Sequence, residues 1–169
     1  MKNIIAAHKN NIFLKPGEAV VTCQPALVST VLGSCVAVTM FEPVSRVSAI
    51  CHAMLPRNPG RDDILRYVDT ALYVMHNKVM KYSLGKNLVV KMFGGAKVLN
   101  LGRFDSTKLT VGEQNILCAE QLLESMRLKV VSKDVGGDRG RRLFFCTKSG
   151  DVYLKRMRAC EHTDNEVVP

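Results

Sequence analysis

The stretch from residue 32 to 56, LGSCVAVTMFEPVSRVSAICHAMLP, constrains this chain more than any other. Two runs rich in apolar and β-branched residues, 34–41 and 46–55, flank Glu42-Pro43-Val44-Ser45, and Pro43 suits the second position of a type I turn. The pattern predicts a β-hairpin closed by a four-residue loop. In that register Phe41 faces Arg46, and Val36, Val38 and Met40 face Cys51, Ala49 and Val47, so one side of the ribbon is wholly apolar. The other side carries Cys35 across from His52, followed by Ala37–Ile50 and Thr39–Ser48. A slip of one residue would mix the two sides, which burial of one face disfavours. Directly opposed residues hold their Cβ atoms roughly 4.5–5.5 Å apart. A thiol and an imidazole at that separation are a candidate nucleophile and base. The ordinary reading of such residues is inert packing for the Cys and a hydrogen-bonded strand residue for the His. The shared face is what sets this pair apart. Gly33-Ser34 adds a small, pliable approach that lets backbone N–H groups turn toward the thiol, as an oxyanion site needs.

At 169 residues the chain is long enough for one domain with a proper core, and 47% hydrophobic against 23% charged residues is an ordinary globular balance. No apolar run reaches the roughly 18–20 residues of a membrane span. The opening MKNIIAAHKN lacks an apolar signal core with a small-residue cleavage site, so a cytoplasmic protein is expected. The six cysteines, at 23, 35, 51, 118, 146 and 160, are scattered without a CxxC, which points to reduced thiols and to no zinc site. On the hairpin Cys51 is expected in the core, and Cys35 is the candidate functional thiol. The net charge of +9, from 24 Lys and Arg against 15 Asp and Glu, suits an anionic partner. The basic residues form no known nucleic-acid module, so an acidic protein is at least as good a partner.

Around the hairpin, residues 1–16 read as a lead-in strand and loop, 19–23 as a short strand, and 26–31 as the approach to Cys35, carrying Ser29 and Thr30. Helical spacing of Ile64, Leu65, Val68, Ala71, Leu72, Met75, Val79 and Met80 predicts a helix over 61–83, with His76 on its surface. Residues 87–93 form a strand ended by Gly94-Gly95, whose spacing is not that of a phosphate-binding P-loop. Residues 104–109 read as a polar loop. Thr110-Val111-Gly112-Glu113 has capping-box spacing and opens a second helix to about Arg127, with Glu113, Asn115, Glu120 and Glu124 on its solvated side. Strands are expected at 128–135, 141–147 and 151–157, the last two joined at Ser149-Gly150. The loop GGDRG, 136–140, running into Arg141-Arg142, is solvated by default and a candidate anion-binding nest. Residues 158–169 form a polar, frayed tail in which Cys160 and His162 have no metal-ligand pattern. Strands, helix, strand, helix, strands predicts a layered α+β fold of mixed or antiparallel sheets, packed sandwich-like and flanked by helices.

The motifs LGSCVAV (32–38), HAMLP (52–56), MFGGAKV (92–98), VGEQN (111–115), DVGGDRGRR (134–142) and TKSGDVYLKR (147–156), met in this order, resemble the CheD family of chemoreceptor glutamine deamidases over roughly residues 17–156. The Cys-to-His spacing, 52 − 35 = 17, is also similar to the family's. The resemblance implies hydrolysis of receptor glutamines to glutamates, with Cys35 as nucleophile, His52 as base and no metal or organic cofactor. It also implies chemoreceptor cytoplasmic domains and a CheC-type phosphatase as partners. The family's third residue is a Thr a few positions before the Cys. Ser29 stands six before and Thr30 five before, and the six-before position is expected to be equivalent, which makes Ser29 a departure from Thr. A docking module for the phosphatase, without need of catalysis, is the competing reading. Intact Cys35 and His52 favour the enzyme.

Overall fold

The computed structural model describes residues 2–83, 87–97 and 109–157; the expected tail and most of the 104–109 loop lie outside them. In chain order the elements are α1 (Lys2–Ala6), β1 (Asn11–Phe13), β2 (Ala19–Thr22), β3 (Leu27–Leu32), β4 (Val36–Phe41), β5 (Ser48–Ala53), α2 (Val68–Met80), β6 (Val89–Gly94), α3 (Val111–Ser125), β7 (Val130–Val135), β8 (Arg141–Cys146) and β9 (Val152–Arg156). Among the described residues two mixed sheets form, ordered β1-β3-β8-β9 and β2-β5-β4-β6-β7. β1 runs parallel to β3, and β7 parallel to β6; the other pairs are antiparallel. This is the layered α+β sandwich that the order of elements predicts. No described helix is long and apolar enough to cross a membrane.

The hairpin of β4 and β5 is the middle of the second sheet, and both of its faces are buried. Val36, Val38, Met40, Ala49, Cys51 and Ala53 point toward α2 and α3 and share a core with Leu72, Met75 and Leu123. Ala37 and Ile50 point the other way, into the space between the sheets, with Val28, Leu32 and Phe145 of the first sheet.

The register differs from the expected one. Ala37 pairs with His52, Val38 with Cys51 and Phe41 with Ser48, so the hairpin slips by two residues and its connection spans 42–47. The cause lies in the turn. The Glu42 carboxylate accepts from the Val44 and Ser45 N–H groups at 3.2 and 2.6 Å, and Arg46 takes a left-handed φ of 56°, which removes it from the ladder. An even slip leaves every side chain on its expected face. It does not leave Cys35 directly opposite His52 as the expected register did, because Ala37 takes that place.

Two helical expectations also change. The expected lead-in strand is present as β1, but the short helix α1 precedes it. The expected helix over 61–83 splits into a single 3₁₀ turn (Ile64–Arg66), an extended Tyr67 and α2. The Arg66 carbonyl accepts from the Met54 and Leu55 N–H groups at 2.7 and 3.1 Å, and Val68 N–H donates to the Leu55 carbonyl at 2.8 Å. Those bonds fasten this segment to the end of β5 and draw it out of helical geometry.

Candidate active site

The sheets bring Cys35, His52 and Thr30 to one end of the sandwich. His52 lies across from Ala37, so Cys35, two residues before Ala37, is its diagonal neighbour on the inter-sheet face. Such neighbours sit about 7–8 Å apart along the backbone, within reach of a ring side chain. The His52 main chain is pinned to the segment before β2: its N–H donates to the Glu18 carbonyl at 2.9 Å, and its carbonyl accepts from Gly17 at 2.8 Å.

Period-two alternation in β3 sends Val28, Thr30 and Leu32 inward, and Ser29 and Val31 to the outer side. Thr30 is fully buried, and its Oγ1 lies 2.8 Å from His52 Nδ1 and 2.8 Å from the Leu14 carbonyl. A hydroxyl has one proton. Donating it to Leu14 leaves the oxygen to accept from Nδ1–H, which assigns the ring proton to Nδ1 and leaves Nε2 as a bare acceptor. Among the described residues, buried Nε2 has no hydrogen-bond partner. Ser29, expected as the equivalent of the family's Thr, stands on the wrong side of the strand for this contact; the five-before residue makes it.

The loop 33–35 is held by its carbonyls. Gly33 accepts from Ala96 N–H at 2.8 Å, Cys35 accepts from Gly95 N–H at 2.7 Å, and Ser34 accepts from Asn115 Nδ2 at 3.0 Å. Asn115 Nδ2 also donates to the Met54 carbonyl at 2.9 Å, so one side chain ties the segment before Cys35 to the segment after His52. Asn115 is fully buried, against the expectation of a solvated position. The helical stripe Gly112, Asn115, Ala119, Leu123 carries the signal that identifies it. Gly94, with φ of 109°, packs against the Cys35 carbonyl so closely that a Cβ would collide with it.

The glycine-rich loop 136–140 braces this arrangement from behind. Gly136 N–H donates to the Gly94 carbonyl at 2.9 Å, and the Gly137 carbonyl accepts from Lys97 N–H at 2.7 Å. Arg141 is buried and bonded to the Asp134 carboxylate at 2.6 Å and the Gly136 carbonyl at 2.7 Å, so it holds the loop's shape.

Cys35 opens into a largely apolar cleft of about 290 Å³ walled by Met54, Leu55, Ala96 and Val111, with Arg66 and Lys97 beside them. Burial pushes the Cys35 thiol above its ordinary value, partly offset by its own backbone N–H against the sulfur. Burial holds His52 below its ordinary value, partly offset by the Leu14 carbonyl and the Glu18 charge. Both shifts favour the neutral forms, thiol and imidazole.

Fold and site together define a two-sheet α+β protein with a Cys, His and Thr gathered where the strands end. A family model described as CheD chemotactic sensory transduction matches residues 54–156. A probable chemoreceptor glutamine deamidase CheD 2 of Geobacter sulfurreducens is 45% identical over 152 residues, covering 89% of this chain and 92% of the relative. A probable chemoreceptor glutamine deamidase CheD of Maridesulfovibrio salexigens is 45% identical over 155 residues, covering 86% and 91%. The chain belongs to the CheD family.

Proposed function

We propose that this protein hydrolyses glutamine side chains of chemoreceptors to glutamate, releasing ammonia, with Cys35 as nucleophile, His52 as base and Thr30 orienting the ring. The observation that carries this reading is the Thr30–His52 bond, which leaves a bare Nε2 buried on the face that Cys35 shares. The relatives' names supply the substrate class. Arg66 and Lys97 at the cleft suit an acidic partner surface.

A carboxamide is a weak electrophile, and the Cys35 thiol is held protonated. His52 Nε2 therefore takes the thiol proton as the sulfur attacks, rather than starting from an ion pair. The S–C bond forms and the carbonyl oxygen becomes an oxyanion. The Cys35 N–H is the backbone donor assigned to it, and one such donor is worth about 3–4 kcal/mol. The His52 imidazolium returns its proton to the departing nitrogen, and the C–N bond breaks to give ammonia and a thioester. Water, deprotonated by Nε2, attacks the thioester, the C–S bond breaks, and the proton returns to Cys35. Thr30 keeps Nδ1–H occupied throughout, so Nε2 alone cycles its proton.

The test is incubation with receptor cytoplasmic fragments followed by peptide mass mapping. Selected peptides should gain about one mass unit, the amide-to-acid change, and Cys35→Ala should abolish the gain with the fold intact. Full activity in Cys35→Ala would overturn the mechanism. A wild type that leaves receptors unchanged while binding a CheC-type phosphatase tightly would replace it with the docking-module reading.

A further inference from the structure

We propose that Cys146 and His8 form a second reactive site, at which the Cys146 thiolate reduces a small hydroperoxide and is itself converted to a sulfenic acid. This goes beyond the deamidase reading and does not depend on it.

His8, between α1 and β1, places Nε2 3.4 Å from Cys146 Sγ and Nδ1 2.8 Å from the Ile4 carbonyl. A carbonyl only accepts, so Nδ1 carries a proton and Nε2 faces the sulfur. Asn11 Nδ2 donates to the His8 carbonyl at 2.8 Å and fixes the bend that presents the ring. On the other side of the sulfur is the turn between β8 and β9. It is closed by Gly150 N–H to the Cys146 carbonyl at 2.9 Å and by Cys146 N–H to the Asp151 carbonyl at 2.9 Å.

In that turn the Ser149 hydroxyl donates to the Asp151 carboxylate at 2.6 Å. Burial pushes the thiol up, but hydrogen bonding from the β8–β9 turn and from His8 outweighs it and leaves Cys146 below its ordinary value. His8 is raised, by the Ile4 carbonyl first and by Cys146 second. A proton shared this way favours thiolate beside imidazolium, the state in which sulfur is nucleophilic. The surroundings are apolar, with Leu27, Phe144 and Ile4 packed about the sulfur, and Cys146 is 8% exposed. That admits a small neutral oxidant sooner than a bulky or charged one. The site lies on the outer side of the first sheet, where Cys146 pairs with Leu27 of β3, so the sheet separates it from the Cys35 cleft.

The reaction balances without a cofactor. The thiolate attacks one peroxide oxygen, the S–O bond forms and the O–O bond breaks. The departing oxygen takes its proton from the His8 imidazolium and leaves as water or an alcohol. Sulfur loses two electrons and the peroxide gains them.

The experiment treats the full-length native protein with hydrogen peroxide near equimolar ratio in the presence of dimedone, then maps labelled cysteine peptides by mass. Dimedone should accumulate on Cys146 at least about tenfold faster than on the exposed Cys23. His8→Asn and His8→Gln should each slow Cys146 labelling by about fivefold or more at unchanged melting temperature. The same Cys146 rate is expected in Cys35→Ala protein, so this outcome is read independently of deamidation. Labelling of Cys23 as fast as Cys146 would overturn the proposal. So would a Cys146 rate unmoved in both His8→Asn and His8→Gln.

Discussion

Two Cys–His pairs occupy opposite sides of the first sheet, and their surroundings set them in opposite states. At Cys35 and His52 burial dominates, and both groups shift toward their neutral forms. At Cys146 and His8 local hydrogen bonds outweigh burial, and both shift toward their charged forms. Charge is disfavoured by a dry environment and favoured by donors and acceptors aimed at it. A thiol proposed to attack a carboxamide and a thiol drawn toward its anion therefore need different walls, even with the same two residue types.

The largest expected effects separate the pairs by activity. Cys35→Ala should lower receptor deamidation by roughly a thousandfold or more, whereas Cys146→Ala should stay within about twofold, both read by peptide mass mapping. Equal losses would erase the distinction. Thr30→Val keeps the shape of the side chain but strands the His52 Nδ1–H and the Leu14 carbonyl. It should reduce kcat by about 10–100-fold, since a small misplacement of a catalytic group is costly. Ser29→Ala, one residue away on the outer side, should change it by less than about twofold. Asn115→Ala removes the bonds to Ser34 and Met54. It should cost about 1–3 kcal/mol in a urea titration and lower kcat more than it raises KM.

The smallest effect is in pH dependence, and its sign differs between the histidines. His52 is held below its unfolded value of about 6.5, so the unfolded chain binds more protons in that range. Its contribution to stability is complete above about pH 6.5 and is lost as pH falls toward the native value. His8 is raised, so its contribution is complete below about pH 6.5 and is lost as pH rises through its native value. Urea midpoints against pH should therefore slope in opposite directions when each variant, His52→Gln and His8→Asn, is subtracted from wild type. The same slope for both would break the comparison.

Much of the hairpin was legible in the chain. Alternation named the strands and assigned Cys35 and His52 to one face, and that assignment survived because the true register differs by an even step. The register itself was not legible, since it depends on how the Glu42 carboxylate folds back on Val44 and Ser45 and on the left-handed turn at Arg46. The choice between Ser29 and Thr30 was also hidden. Both sides of β3 carry apolar neighbours, so its alternation names two faces without saying which one meets β5. Asn115 was misplaced because its polarity outweighed its position on the buried stripe of α3.

By itself, the sequence determined the strands, the second helix with its capping box, the layered class and the candidate nucleophile and base, because these follow from periodicity and local chemistry. Tertiary structure decided which hydroxyl holds the imidazole, what anchors the loop before Cys35, and that a second thiol meets a histidine 138 positions away. Those are meetings of segments far apart in the chain, brought about by the packing of two sheets, and no local pattern encodes them.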